Sequence, residues 1–259
     1  MTVAHTTPSA GPPAGGPVDP YTSPSDLPPD IAALGEPLRA GAQALGLALD
    51  AAQTGRMLHY LALIAKWNRV YNLTAVRDPH DMLTHHLLDS LAVVPPLQRE
   101  AAALRRQGPQ DTGTQNARLS LLDVGAGAGL PGVVIAICCH DIRVVCVDTV
   151  AKKAAFVQQV AAALALPNLA GQHARVESLT GPFDIVGSRA FAALADFTAW
   201  SAPALAPAGV WMAMKGKLPA DEIAALRPEV SVFHVEPLDV PGLGAERCLV
   251  WMRPAASAV

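Results

Sequence analysis

Apolar residues recur with a helical period in the first third of the chain. Met57, Leu61, Ile64 and Ala65 follow the spacing i, i+4, i+7 and i+8, which puts them on one face of a helix. We expect this helix to end near residues 67–71, where the pattern stops. The periodicity predicts a helical region over residues 31–97.

Prolines mark further boundaries in this region. Asp78 precedes Pro79, and this pair predicts a turn in which the aspartate caps a helix and the proline takes its first position. The pair Pro95-Pro96 is predicted to end that helix. Residues 98–118 are predicted to form a polar linker.

From residue 119 onward, short apolar runs alternate with helical segments. The predicted strands cover residues 119–124, 143–147, 170–174, 183–188, 209–214, 229–236 and 246–252, with helices between most of them. This alternation predicts an α/β fold over residues 119–253, with a doubly wound, mostly parallel sheet and helices on both faces. The last two strands have no helix between them, which predicts an antiparallel hairpin at one edge.

Composition changes the picture at the two ends of the chain. Half of the 259 residues are apolar, enough for one sizeable core. Residues 1–30 are rich in Pro, Gly, Ser and Thr and are predicted to be a disordered tail, and residues 254–259 a second short tail. No apolar run reaches the roughly 18 residues of a membrane span, and the start does not resemble a signal peptide. We therefore expect a soluble cytoplasmic protein.

Charge and cysteines constrain the partners. The net charge of −3 argues weakly against nucleic acid, but residues 1–38 contain four acids and no Lys or Arg, so the remainder carries +1. RNA binding would then depend on local basic patches. The four cysteines form no CxxC pair and no zinc-type spacing with histidines, so we expect buried thiols and no metal site.

The sharpest motif is the glycine loop Leu121-Leu122-Asp123-Val124-Gly125-Ala126-Gly127-Ala128-Gly129-Leu130-Pro131-Gly132. It follows a predicted strand and opens a helix, at the strand end where open α/β sheets bind ligands. Its last three glycines fit the dinucleotide pattern GxGxxG, which alone is a weak signal. Asp123 precedes the first glycine, where a carboxylate suits the ammonium of a methionine moiety but would crowd a pyrophosphate.

Asp148 ends the second predicted strand. A carboxylate there can accept hydrogen bonds from both ribose hydroxyls of a nucleotide-like cofactor. Nicotinamide cofactors and S-adenosylmethionine both contain this ribose, so Asp148 does not separate them. Its other interpretation is a solvated cap of the following helix.

Several motifs around this loop occur in a recognisable order. They are Lys66-Trp67-Asn68, Tyr71-Asn72-Leu73-Thr74, Val76-Arg77-Asp78-Pro79, His86-Leu87-Leu88-Asp89-Ser90, Ser188-Arg189-Ala190-Phe191-Ala192 and Met214-Lys215-Gly216. Together with the glycine loop, they resemble the GidB (RsmG) family of guanine-N7 methyltransferases of bacterial 16S ribosomal RNA. The resemblance covers about residues 55–252. It implies a class I S-adenosylmethionine-dependent methyltransferase fold, Rossmann-like, with a helical N-terminal region.

The resemblance also implies a set of cofactor contacts. Gly125 and Leu130 match the family's loop contacts, Val176 and Glu177 match the pair near the adenine, and Arg189 matches an arginine of the cofactor site. Gly127, Asp123 and Asp148 complete the predicted set from the loop and strand ends. The family often has Thr and Pro where this loop has alanines, but the glycines and the Leu-Pro pair remain.

The implied chemistry needs no general base, because guanine N7 has a lone pair and no proton. No catalytic residue is therefore assigned. A cation beside the cationic product would hinder the reaction, so we expect Arg189 to bind the cofactor carboxylate or an RNA phosphate. The alternative is an ion pair with a structural acid.

The RNA surface is predicted from residue type and position. Lys152, Lys153, Arg175 and Lys215 lie near strand ends on the ligand side of the sheet and could form a basic rim, or be ordinary solvated charges. The expected partner is 16S ribosomal RNA, in the small subunit or in an assembly intermediate, with the protein as a monomer. Tyr71 or Phe191 could stack on an extruded base.

Three other functions stay open. A nicotinamide-dependent oxidoreductase would share the glycine loop and Asp148, although the sequence shows no obvious His/Lys or Tyr/Lys catalytic pair. A methyltransferase for a small molecule would use the helical region as a lid. A noncatalytic RNA-binding protein would use the cofactor only for stability.

Overall fold

The computed structural model describes residues 27–107 and 118–255. Residues 108–117 of the predicted linker 98–118 and most of both predicted tails lie outside these residues. The helical region contains α1 (Pro29–Ala32), α2 (Gly35–Ala44), α3 (Ala51–Tyr71), α4 (Pro79–Met82), a π-helix (Leu83–Leu88), α5 (Asp89–Leu91) and α6 (Val94–Gln107).

The second region alternates strands and helices, as its sequence predicts. Its elements are β1 (Leu119–Val124), α7 (Gly132–Cys138), β2 (Ile142–Asp148), α8 (Ala151–Ala163), β3 (Leu169–His173), a 3-10 helix (Val176–Ser178), β4 (Phe183–Arg189), α9 (Leu194–Ser201), a 3-10 turn (Ala202–Ala204), β5 (Leu205–Lys215), α10 (Ala220–Ala224), β6 (Val230–Pro237) and β7 (Cys248–Pro254).

One seven-stranded sheet organises this region, in the order β3-β2-β1-β4-β5-β7-β6. Strands β1 to β5 pair in parallel, whereas β7 lies antiparallel to both β5 and β6. The α/β fold and its antiparallel edge hairpin are therefore confirmed. The order reverses at β1, so the carboxyl ends of β1 and β4 flank the crevice where ligands of such sheets bind.

The helical region packs onto this sheet. Helix α3 begins with a capping box in which Asp50 and Gln53 bind each other's backbone amides. It then packs against α7 and α8. Tyr60, fully buried on α3, donates a hydrogen bond of 2.6 Å to the carbonyl of Ala128. The helices and one face of the sheet consequently share a core.

The helical run that begins at Pro79 ends at Leu91, just before Pro95-Pro96, but the sequence does not predict the further helix that begins at this pair. Both prolines lie in the first turn of α6, where a missing N–H leaves no bond unmade. The helix continues to Gln107 and buries Leu97 and Ala101, so residues 98–107 are not a linker. At the other ends, α1 begins inside the predicted tail at Pro29 and β7 extends to Pro254.

The four cysteines are free thiols, three of them buried. No three His, Cys, Asp or Glu side chains within residues 27–107 and 118–255 are grouped as metal ligands. No helix in those ranges combines the length and hydropathy needed to cross a bilayer.

Candidate active site

The glycine loop leaves β1 in a conformation that needs glycine. Gly125, Gly127 and Gly129 have φ angles of 67°, 60° and 92°, in the left-handed region. The amide of Gly125 donates to the carbonyl of Val147 at 2.9 Å and ties the loop to β2. A Cβ on Gly125 would lie 2.4 Å from the ring of Phe191, so this ring packs directly on the loop backbone.

Asp123 lies at the end of β1, as the sequence predicts. Its carboxylate is fully buried and lies outside the cavity beside the loop. Its Oδ2 accepts a hydrogen bond of 2.9 Å from the amide of Gly132 and lies 3.9 Å from Sγ of Cys146. Burial raises the pKa of Asp123 to about 7, although the Gly132 amide opposes this shift. Asp123 thus joins the end of β1 to the start of α7 through Oδ2, and its contact with a cofactor ammonium stays a prediction.

Asp148 holds the loop from the neighbouring strand. Its Oδ2 accepts from the amide of Gly127 at 3.0 Å, and its Oδ1 accepts from the amide of Val150 at 2.8 Å. Asp148 is buried and binds the turn before α8 and does not cap the helix itself, and its contact with a ribose stays a prediction. Each oxygen keeps a second lone pair for a hydroxyl donor.

A cavity of about 490 Å³ opens between the loop, the helical region and the ends of β4, β5 and β7. This volume falls in the range of roughly 300 to 1,000 Å³ that small-molecule sites occupy. Of the predicted cofactor residues, Gly125, Gly127, Leu130 and Arg189 line it. Among the predicted RNA residues, it is lined by Lys215.

The predicted adenine pair lies beside the cavity. Val176 and Glu177 belong to the 3-10 helix after β3, with Val176 buried and Glu177 exposed. Ala174, two residues before Val176, donates its amide to the carbonyl of Asp148 at 3.2 Å. The structure thus brings this segment next to Asp148, although neither side chain lines the cavity.

An ion cluster closes the cavity opposite the glycine loop. Asp89 is 2% exposed, and its two oxygens each receive one guanidinium. Nη1 of Arg189 lies 2.7 Å from Oδ2, and Nε of Arg247 lies 2.7 Å from Oδ1. Arg189 also donates to the carbonyl of His85 at 3.1 Å. We name Asp89, Arg189 and Arg247 the arginine–aspartate triad.

The triad joins residues far apart in the chain. Asp89 follows the π-helix, whose wide turns carry His85 and His86 along the cavity wall. Ala190, just after Arg189, has a φ of 51°, which is costly for a residue with a Cβ. On one side of this turn, the side chain of Arg189 reaches Asp89. On the other side, the ring of Phe191 packs on Gly125.

His86 is a neutral group in the cavity wall. Burial lowers the pKa of its imidazole to about 4. Nε2 lies 3.0 Å from Oγ1 of Thr74, and Nδ1 is buried with no hydrogen-bond partner in the described chain. Asn68 fixes this wall, because its side-chain amide donates to the carbonyl of Thr74 at 2.9 Å and accepts from the amide of Thr74 at 3.0 Å.

The predicted basic rim does not form a single patch. Nζ of Lys215 donates to Glu222 at 2.7 Å and to the carbonyl of Ala192 at 2.9 Å, so this charge is compensated. Lys152 lies over the half-exposed ring of Tyr71 at 5.5 Å. Nζ of Lys153 lies 4.0 Å from Asp148. Arg175 is exposed before the 3-10 helix.

Sequence reasoning missed Arg247 and the role of Asp89. Arg247 ends an irregular ten-residue connection between β6 and β7, and no local pattern marks it. Asp89 was visible only as part of a recognised motif, since its two partners lie 100 and 158 residues away. The alternative interpretation of Arg189, an ion pair with a structural acid, describes its contact with Asp89.

Comparisons with known proteins find relatives over most of the chain. The chain is 67% identical over 219 residues to the ribosomal RNA small subunit methyltransferase G of Acidovorax sp. (strain JS42), covering 85% of this chain and 95% of that protein. The protein of that name from Albidiferax ferrireducens is 66% identical, over 86% of this chain and 98% of its own length. A solved SAM-dependent methyltransferase from Aquifex aeolicus is 14% identical, with a TM-score of 0.43, over 64% of this chain and 93% of that one.

A family model described as "rRNA small subunit methyltransferase G" (GidB) matches residues 53–250, which include the glycine loop and all three members of the triad. The match covers well over half of the chain. With relatives above 60% identity along most of their length, this chain belongs to the GidB family of rRNA small subunit methyltransferases.

Proposed function

We propose that this protein transfers a methyl group from S-adenosyl-L-methionine to N7 of a guanosine in 16S ribosomal RNA. The main support for the proposal is the cavity, because the glycine loop and the positively charged triad both line it. Family membership supports the reaction class, and the relatives' name, which refers to the small subunit, supports the substrate.

The residues present suit this cofactor. A Cβ on Gly127 would project into open space, so the loop backbone stays accessible to a ligand. Asp148 keeps lone pairs for two ribose hydroxyls. Arg189 ends β4 and lines the cavity together with the glycine loop, so its guanidinium is placed to bind the cofactor carboxylate.

The chain's own part in the reaction is to bind and to orient. Gly127, Asp148 and Arg189 would hold S-adenosylmethionine, which when bound would supply an electrophilic methyl group for guanine N7. Guanine N7 needs no base, and His86 is already neutral near pH 7. Its uncharged imidazole in the cavity wall adds no repulsion to the cationic product. Rate enhancement then comes mainly from holding the reacting atoms in line.

Location and assembly belong to the same proposal. The substrate would be the small subunit or an assembly intermediate, and the protein would act on it as a monomer in the cytoplasm. Sedimentation of the protein alone and with small subunits tests this part: a single protomer mass alone, and co-sedimentation with subunits, are the expected results.

The deciding experiment measures transfer of labelled methyl to small subunits from cells that lack this protein, followed by mapping of the modified base. We expect label at N7 of one 16S guanosine and none with an Asp148→Ala variant, whose loop loses its anchor. Binding of S-adenosylmethionine without label on any ribosomal particle would overturn the assignment. Turnover of a small molecule, or binding of a nicotinamide cofactor instead, would identify which alternative replaces it.

A further inference from the structure

We propose that Arg247, oriented by Asp89, binds a backbone phosphate of the target RNA at the edge of the cavity. This inference deepens the proposed function and rests on it. It gives the triad two tasks: Arg189 serves the cofactor side and Arg247 serves the nucleic acid.

Arg247 has N–H donors that its contacts within the described parts of the protein do not use. Of the five N–H groups of Arg247, Nε serves Asp89, and Nη1 donates to the carbonyl of Glu246 at 2.9 Å. No acceptor among the described residues pairs with Nη2. The bonds to Asp89 and Glu246 hold the guanidinium in place, and the Arg247 side chain is 24% exposed. A planar guanidinium fixed at one edge is preorganised for a phosphate oxygen.

The triad also has an excess of positive charge. Two guanidiniums face one carboxylate in the triad, which leaves one positive charge. Lys215 adds none, because Glu222 compensates it at 2.7 Å. His86 adds none either, because its pKa is about 4. The cavity therefore has an anion preference centred on the two arginines.

Arg189 and Arg247 lie at different places in the site. Arg189 ends β4, beside the glycine loop, and lines the central cavity. Arg247 lines that cavity and also a neighbouring groove of about 830 Å³ formed by the β6–β7 connection and residues 217–218. It therefore lies where a chain running along the groove would enter the cavity.

The groove itself does not attract anions. Apart from Arg247, which belongs to the triad, its charged lining residues are Lys217, Asp239 and Glu246, one cation against two acids. The phosphate is consequently expected at the triad, where the positive charge is in excess, and not along the groove. One contact of this kind fixes the register of a strand without reading its sequence.

Removing Arg247 should spare the rest of the triad. In an Arg247→Gln variant, Asp89 keeps its bond to Arg189, so the buried carboxylate is not left without a cation. Arg105→Gln is a matched control, since it removes the same charge from an ion pair with Asp141 outside the cavity.

The test combines direct binding with turnover. The affinity of the protein for a fluorescently labelled fragment of 16S RNA and for small subunits is measured at several salt concentrations. The affinity for S-adenosylhomocysteine and the melting temperature are measured on the same variants. We expect R247Q to weaken RNA binding about tenfold and to reduce the salt slope by about one phosphate contact, with S-adenosylhomocysteine affinity unchanged within twofold. Arg247→Lys should restore part of the RNA affinity, and R105Q should match the parent protein.

Each contrary result has a distinct meaning. A loss of S-adenosylhomocysteine affinity equal to the loss for RNA would move Arg247 to the cofactor carboxylate and overturn the proposal. A lower melting temperature with unchanged RNA binding would leave only a structural role, which also overturns it. RNA binding that depends on Arg247 in a protein that transfers no methyl would refute the proposed function while supporting the phosphate contact. No RNA binding by the parent protein would refute both.

Discussion

At the scale of single residues, the site contains two buried groups whose pKa values move in opposite directions. Burial raises the pKa of the Asp123 carboxyl to about 7 and lowers that of the His86 imidazole to about 4. Neither shift could be inferred from the sequence, because each depends on how completely the fold removes water from the group. Their effects on stability oppose each other in mildly acidic solution, so each needs its own variant.

Asp123→Asn removes the first effect. The folded pKa of about 7 lies above the ordinary value of 3.8, so the unfolded chain loses this proton first and stability is lost as pH rises from about 4 to about 7. Asparagine has no carboxyl group to titrate, so the variant does not lose stability in this way as pH rises. We expect its melting temperature, relative to the parent, to improve by about 3 °C or more between pH 5 and pH 8. Asp141→Asn, at an exposed site, is the control, and an equal difference at both pH values would refute the buried-proton account.

His86→Gln removes the second effect. The folded pKa of about 4 lies below the ordinary 6.5, so stability is present above pH 6.5 and is lost as pH falls toward 4. Glutamine can still donate to Oγ1 of Thr74 but takes up no proton. We expect the variant to lose less melting temperature than the parent between pH 7 and pH 5. Calorimetry at these two pH values checks this, and parallel curves would contradict it.

At the scale of elements, pattern reasoning succeeds where local sequence determines the structure. The helix over 51–71, the strand before the glycine loop and the edge hairpin follow from apolar spacing and turn residues. It fails at Pro95-Pro96, because proline both ends helices and begins them, and only the burial of Leu97 and Ala101 decides between these roles.

The glycine loop provides a prediction at this scale. Gly125→Ala would place a methyl 2.4 Å from Phe191 at a φ of +67°, whereas Gly46→Ala would meet only the backbone strain at +77°. We expect the first change to cost at least about 2 kcal/mol and to abolish measurable S-adenosylhomocysteine binding, and the second to cost about 1 kcal/mol with binding intact. Chemical denaturation and calorimetric titration measure both quantities. Equal costs would mean that Phe191 moves aside freely.

At the scale of the whole molecule, the helical region is part of the site. Its residues Thr74, His86 and Asp89 line the cavity. The hydroxyl of Tyr60 donates a hydrogen bond to the carbonyl of Ala128 in the glycine loop. The sequence pattern predicts the helical region and the α/β region as separate units, and only the resemblance to one family relates them. Their contact could not be derived locally, because it joins residues 68 to 158 positions apart.

Tyr60→Phe tests this coupling between the regions. The variant keeps the buried ring but leaves the carbonyl of Ala128 without its donor, which costs about 1 to 3 kcal/mol. We expect a lower melting temperature and a several-fold weaker affinity for S-adenosylhomocysteine. Tyr71→Phe, at a half-exposed ring, should change neither quantity. A drop in stability without a drop in affinity would show that the loop holds its shape without α3.

The wide separation of the triad members also constrains the order of events during synthesis. Arg247 leaves the ribosome 158 residues after Asp89, a delay of roughly 8 to 30 s at ordinary translation rates. Arg189 follows Asp89 by 100 residues, so over the last 58 residues of that interval Asp89 can meet Arg189 but not its second cation. The nascent chain therefore spends this time with the cavity incompletely walled, and the ligand site becomes complete only when the strand that follows Arg247 is inserted between β5 and β6.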